Sequence, residues 1–180
     1  MTFTKIAVLG LGKVGTLAAS LLRDSGFEVT GLDAKARPAL PFPTQAADLA
    51  SPAAVAAALA PFQAVLSCLP YHLNTEVAKA AHRLGLHYFD LTEDVPTTRT
   101  IIELSTSAKG VMAPQCGLAP GFVGIVGADL ARQFERCRAI RMRVGALPRN
   151  PTGLMGYAFN WSPEGVVNEY LNDCAVIEEG

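Results

Sequence analysis

Lys5-Ile-Ala-Val-Leu-Gly10-Leu-Gly12-Lys-Val-Gly15 is the stretch whose reading decides the fold. A short continuous apolar run that stops at glycine suits a strand buried on both faces of a parallel sheet. Directly after it, Val14, Leu17, Ala18, Leu21 and Leu22 recur at helical spacing until Gly26 ends the pattern. Strand, glycine loop and helix follow one another as the G-x-G-x-x-G arrangement requires. In that arrangement Gly10 permits the tight turn, Gly12 lets a pyrophosphate approach the backbone, and Gly15 lets helix and strand pack closely. The free N–H groups at the helix start, on Lys13 and Val14, then face the phosphates.

Working outward, Phe27–Leu32 reads as a second strand ending at Asp33. The segment 34–47 holds Pro38, Pro41 and Pro43 and reads as loop. Ser51 caps a helix with Pro52 just inside it, and the alanines of 53–60 favour its continuation. Ala64–Leu69 is a strand closed by Pro70, Asn74–Leu84 an amphipathic helix stopped by Gly85, and Leu86–Leu91 a strand. Thr97–Ala108 is a helix and Val111–Ala113 a further strand. This alternation predicts an α/β fold, a doubly wound parallel-sheet Rossmann domain over residues 1–115. Beyond Pro114 the texture changes to a helix over Phe122–Phe134, a strand over Ala139–Val144, and a Pro/Gly/aromatic stretch. Residues 116–180 read as the start of a second α+β domain, truncated before it can close a core of its own.

Composition narrows the function classes. Half of the residues are hydrophobic and 17% are charged, as in globular proteins with a substantial core. The net charge of −1 with scattered basic residues gives no footprint for nucleic acid or an anionic membrane. No apolar run approaches the roughly 20 residues that span a bilayer, and no signal-peptide pattern precedes the first strand. The four cysteines, Cys68, Cys116, Cys137 and Cys174, have neither C-x-x-C spacing nor a histidine at ligand spacing. Reduced thiols in a cytoplasmic protein without a metal site are the expectation.

Asp33 ends the second strand about 20 residues beyond the loop, where a carboxylate can accept from both ribose hydroxyls and repel a 2′-phosphate. That favours NAD. Lys35 and Arg37 follow closely, either as solvated charge or as partners for a 2′-phosphate, which leaves NADP open. Ligands of open α/β sheets bind beyond the carboxyl ends of the strands. Three segments fall there: Ser67-Cys-Leu-Pro-Tyr-His-Leu-Asn74, Tyr88-Phe-Asp-Leu-Thr-Glu-Asp94 and Gln115-Cys-Gly-Leu-Ala-Pro-Gly-Phe122. Asn74, Thr92 and Asp94 are equally readable as helix caps. His72 is the histidine nearest the cleft and suits proton transfer near neutrality, or simply faces solvent. Cys68 and Cys116 both end strands at this edge and read first as small apolar packers.

Together the glycine loop, Ser67-Cys-Leu-Pro-Tyr71, Gly117-Leu-Ala-Pro-Gly121, Gly145-Ala-Leu-Pro148 and Gly156-Tyr-Ala-Phe-Asn-Trp-Ser162 resemble the saccharopine reductase-like family, which includes L-lysine 6-dehydrogenases. The resemblance implies an N-terminal NAD- or NADP-binding domain, a larger catalytic and dimerisation domain, and a chain that returns to complete the Rossmann fold. It implies that Cys68, Leu69 and Pro70 meet the cofactor. It places Tyr71, Cys116, Gly117, Trp161 and Ser162 around the substrate, with Tyr71 orienting it and His72 a candidate proton carrier. Saccharopine reductases usually carry an aspartate where this chain has Ala119, and the Gln115-Cys-Gly117 run sits closer to the lysine 6-dehydrogenase branch. Family chains run to about twice this length, so Gly180 reads as a truncation point. The expected activity is NAD(P)-dependent oxidation at the C–N bond of an amino acid or secondary amine, in a cytoplasmic homodimer. A dinucleotide-binding module without catalysis is the alternative.

Overall fold

The computed structural model describes residues 3–145, 147–154, 156–159 and 163–171. Six parallel strands form one sheet: β1 (Lys5–Leu9), β2 (Glu28–Asp33), β3 (Thr44–Ala46), β4 (Ala64–Ser67), β5 (His87–Asp90) and β6 (Met112–Ala113). Their spatial order is β3-β2-β1-β4-β5-β6. Between them run α1 (Lys13–Asp24), α2 (Pro52–Leu59), α3 (Tyr71–Leu84) and α4 (Val95–Ser105), followed by α5 (Phe122–Ala131) and α6 (Pro163–Leu171). The expected α/β doubly wound sheet is present.

The pleat explains why the central strands are apolar throughout. In β1, Ala7 and Leu9 join one buried cluster with Leu32, Val55, Val77, Tyr88 and Ile101 beneath α2, α3 and α4. Ile6 and Val8 alternate onto the other face, with Leu11, Ala19, Val29 and Phe42 beside α1. Period-two alternation with both faces covered leaves no polar side chain in the strand beyond the exposed Lys5 at its start. The α1 face also carries an open apolar hollow of about 240 Å³, lined by Phe3, Ile6, Leu22, Phe27, Leu66 and Phe89 among others.

Several local expectations change. β3 lies inside the segment expected to be loop, held by Gly31 N–H on the Pro43 carbonyl and Ala47 N–H on that of Asp33, both 2.9 Å. α3 starts at Tyr71, because Pro70 with φ −53° and ψ 140° is itself the N-cap. Asn74 is therefore inside the first turn and buried, not a cap. Asp94 does cap α4: its carboxylate accepts from Thr97 N–H at 3.0 Å and Thr97 hydroxyl at 2.7 Å. Thr92 instead accepts from Asp94 N–H at 3.1 Å.

The chain divides into two compact units, Met1–Gly121 and Phe122–Gly180. In the second, residues 139–144 form no strand, since a strand needs a ladder partner for its N–H and C=O groups and none of the described residues supplies one. α6, starting at Pro163, occupies part of what reads in sequence as irregular chain.

Candidate dinucleotide-binding cleft

The strand order turns about β1 and β4, so the loops after these two strands flank a crevice at the carboxyl edge. Gly10 follows β1 at φ +83°, a left-handed conformation that L side chains rarely adopt. Its N–H donates to the Leu32 carbonyl at 2.9 Å. A Cβ on Gly10 would stand 2.9 Å from the Cys68 carbonyl oxygen and 3.1 Å from the Leu69 side chain. A Cβ on Gly15 would collide with the Gly10 carbonyl oxygen and lie 3.3 Å from the Cys68 Cβ. The two outer glycines thus exist so that loop, helix and the end of β4 can touch.

Gly12 is different. It is exposed, and a Cβ there would meet nothing within 4 Å. Gly12 is also the N-cap of α1, with no side-chain cap and no acidic residue in the first turn. The amides of Lys13 and Val14 open this helix with their side chains exposed. An uncapped helix start above an open glycine is a cradle for an anion. A dinucleotide pyrophosphate fits these residues.

Asp33 lies across the loop. Its Oδ2 accepts from Leu11 N–H at 2.8 Å and its Oδ1 from Ala34 N–H at 2.7 Å. Arg37 Nη2 stands 3.7 Å from the same carboxylate, half-exposed, while Arg37 N–H donates to Thr44 Oγ1 at 2.9 Å and ties this loop to β3. Lys35 is exposed.

On the β4 side, buried Ser67 donates its hydroxyl proton to Asn74 Oδ1 at 2.6 Å, which fixes the strand end to the first turn of α3. Burial, reinforced by the Asp90 carboxylate, pushes the Cys68 thiol up to about 11. That thiol is a packing group and a poor nucleophile near neutrality. Tyr71 is half-buried and meets His72 edge-to-face at 5.8 Å, whereas His72 is exposed. Pro70 is exposed at the start of α3.

Beyond β5, Asp90 is fully buried. Its register partner in β4 is Ser67. Asp90 accepts from Tyr88 hydroxyl at 2.7 Å, Thr92 N–H at 3.1 Å and Gln115 N–H at 3.3 Å. Burial raises its carboxyl above the usual range, against the opposing pull of these three bonds. Burial and the Asp90 hydrogen bond and charge likewise hold the Tyr88 phenol protonated. Cys116 is exposed as a residue, with its sulfur folded back to 3.4 Å from the Ala113 carbonyl. Partial burial and then Asp90 raise that thiol too.

Of the residues expected at the site, Gly10 lies against Cys68 and Leu69, Gly15 lies against Gly10 and Cys68, and Gly12, Lys13 and Val14 form the open helix start. Pro70, Tyr71 and His72 open the helix after β4, and Cys116 and Gly117 follow β6. A Cβ on Gly117 would lie 3.5 Å from the Leu91 carbonyl. Trp161 and Ser162 lie outside the described residues. Sequence reasoning missed Asp90 and the inward role of Asn74; an acid at the end of a strand paired on both sides was the available signal. Among the described residues no cluster of His, Cys, Asp and Glu could hold a metal ion, and no helix is long and apolar enough to cross a membrane.

Sheet order and glycine cradle define a Rossmann domain with a site suited to a dinucleotide. Residues 6–113 match the family model described as the saccharopine dehydrogenase NADP binding domain, and the chain belongs to that family. It is 24% identical over 196 aligned residues to the NADP+-dependent, L-glutamate-forming saccharopine dehydrogenase of Pyricularia oryzae, covering all of this chain and 43% of that protein. The corresponding Schizosaccharomyces pombe enzyme is 23% identical over 141 residues, 75% of this chain and 31% of that one. Apo saccharopine dehydrogenase (L-Glu forming) from Saccharomyces cerevisiae has the same fold, with a TM-score of 0.66 at 21% identity, over 91% of this chain and 40% of that one. The chain therefore spans less than half the length of the relatives it matches.

Proposed function

We propose that this chain is the dinucleotide-binding part of an oxidoreductase that acts on the C–N bond of an amino acid or secondary amine. The observation that carries this reading is the Gly10–Gly15 cradle packed directly against Cys68-Leu69, one turn before Tyr71. A bound nicotinamide would accept or donate hydride at that end of the cleft. The chain's own contribution is placement: the helix start holds the phosphates, the β4 end supports the reactive end, and Tyr71 orients substrate. His72, exposed on the first turn of α3, is the proposed proton carrier. Residues 122–180 are proposed to open the domain that supplies the remaining substrate contacts and the dimer interface. Lysine 6-dehydrogenation is favoured over saccharopine cleavage by Ala119, which removes a carboxylate from the substrate side.

The expectation of NAD shifts towards NADP. The family description and both fungal relatives are NADP-linked. Arg37 is already drawn to within 3.7 Å of Asp33. It can leave that carboxylate for a 2′-phosphate, a stronger, doubly charged partner. Fluorescence titration of the chain with NADPH and NADH tests this. NADPH binds more tightly to the wild type, and Arg37→Ala weakens NADPH about tenfold, a loss of about 1.4 kcal/mol, while leaving NADH within about twofold. Tighter NADH binding by the wild type would refute the NADP assignment.

A steady-state screen with lysine and saccharopine decides the substrate branch; turnover of neither, beside turnover of a 2-hydroxy acid, ends the C–N reading. A second reading is a binding module without catalysis, for which the open Gly12 cradle alone suffices. NADPH binding without turnover of lysine, saccharopine or any related amine is the result that favours it.

A further inference from the structure

Asp90 is a fully buried carboxyl group with no cation paired to it among the described residues. An acid in that position is costly unless its hydrogen bonds accomplish something that an apolar residue could not. Those bonds tie the loop after β5 to the turn after β6. Oδ1 accepts from Gln115 N–H at 3.3 Å and Thr92 N–H at 3.1 Å, and the Asp90 backbone carbonyl accepts from Cys116 N–H at 2.7 Å. Side chain and main chain of one residue thus grip two successive amides beyond β6.

The gripped turn needs support. Gln115 sits at φ +62°, a left-handed conformation that non-glycine residues rarely adopt. It is the only such residue among those described. The other side of the carboxyl faces α3. Oδ2 accepts from Tyr88 hydroxyl at 2.7 Å, and that hydroxyl lies 3.4 Å from the Asn74 carbonyl. Asn74 in turn holds Ser67. One buried network therefore joins the end of β4, the first turn of α3 with Tyr71, and the turn that carries Cys116 and Gly117.

We propose that Asp90 is a positioning residue for the substrate side of the cleft, locking the Gln115–Cys116 turn in register with the Tyr71 end of α3. The inference rests on the functional reading above for what the turn faces, but not for the lock itself. The titratable groups around the carboxyl are Tyr88 on β5, Cys68 after β4 and Cys116 after β6; α3 presents the neutral Asn74. Asparagine preserves the lock: its oxygen takes the two amide bonds and its NH2 donates to the Tyr88 oxygen. Alanine abolishes it.

The test uses the whole chain as wild type, Asp90→Asn and Asp90→Ala. Amide exchange at Gln115 is read by NMR, and Cys116 alkylation by iodoacetamide is read against Cys137 by peptide mass spectrometry. Asp90→Ala speeds Gln115 exchange about tenfold or more and alters the Cys116-to-Cys137 ratio about threefold or more. Asp90→Asn returns both to within about twofold of wild type, and the NADPH Kd stays within about twofold in both variants. Unchanged Gln115 exchange and Cys116 alkylation in Asp90→Ala overturn the proposal, as does Asp90→Asn behaving like alanine. Should Asp90→Ala fail to fold, the wild type decides: a Gln115 amide exchanging as fast as that of exposed Leu118 overturns the lock. Failure of the wild type to bind NADPH strikes the functional reading and leaves the lock standing.

Discussion

The two compact units are built from equally apolar sequence and put it to opposite use. In Met1–Gly121 the apolar strands are buried on both faces, and Ala7, Val8, Leu9 and Val65 are all fully buried. In Phe122–Gly180 the apolar helix α5 buries none of its residues, and Phe122, Ile125 and Leu130 are all exposed. Ile140, Met142 and Val144, which alternate with Arg141 and Arg143, are exposed as well. Apolar content therefore does not make a core. A sheet turns local strands into mutual partners, whereas a lone apolar helix only states a requirement for one.

Amide exchange gives the widest test of that contrast. Amides of Ile6–Leu9 in β1 are expected to be at least about a thousandfold better protected than those of α5, because the first open with the global fold and the second locally. Equal protection would break the comparison. A paired substitution follows. Gly15→Ala drives a Cβ into the Gly10 carbonyl and is expected to destabilise by about 1–3 kcal/mol and abolish NADPH binding. Gly124→Ala in α5 meets no atom within 4 Å and is expected to stabilise by up to about 1 kcal/mol through helix propensity alone. Denaturant melts of both variants check the pair, and a Gly124 loss as large as the Gly15 loss contradicts it.

The smallest expected effect is a pH dependence confined to the first unit. Asp90 has a folded pKa above its unfolded one, so the native state holds that proton more tightly. Its favourable contribution is complete below the ordinary carboxylate pKa and is lost as pH rises through the raised folded value. Urea melts across that window should show stability falling with pH in the wild type more than in Asp90→Asn. Parallel profiles would remove Asp90 from the account.

Much of the first unit was legible because its physics is local. An apolar run ending in glycine marked β1, one closed by Pro70 marked β4, glycines marked the helix stops, and Asp33 fell at the end of β2. β3 escaped because three residues amid prolines carry no period, and its pairing with β2 alone reveals it. The alternation at 139–144 was readable as a strand, yet alternation describes a strand's faces and not its partner. Asn74 looked like a cap because its type suits one, until Pro70 took that place. Asp90 showed only as an acid at the end of a strand; its grip on Gln115, 25 residues away, is a product of the fold.

Asp33 has a consequence for anyone wishing to exchange one dinucleotide for the other. Its carboxylate is also the hook that receives the Leu11 amide, so removing it to welcome a 2′-phosphate loosens the glycine loop beneath the pyrophosphate. Recognition and scaffold share one side chain. Redesign, whether in the laboratory or by descent, has freer ground at Arg37, whose half-exposed side chain can be replaced without disturbing a strand. Drift in cofactor preference among such domains should then be written in the loop after β2 before it reaches the acid at the strand's end.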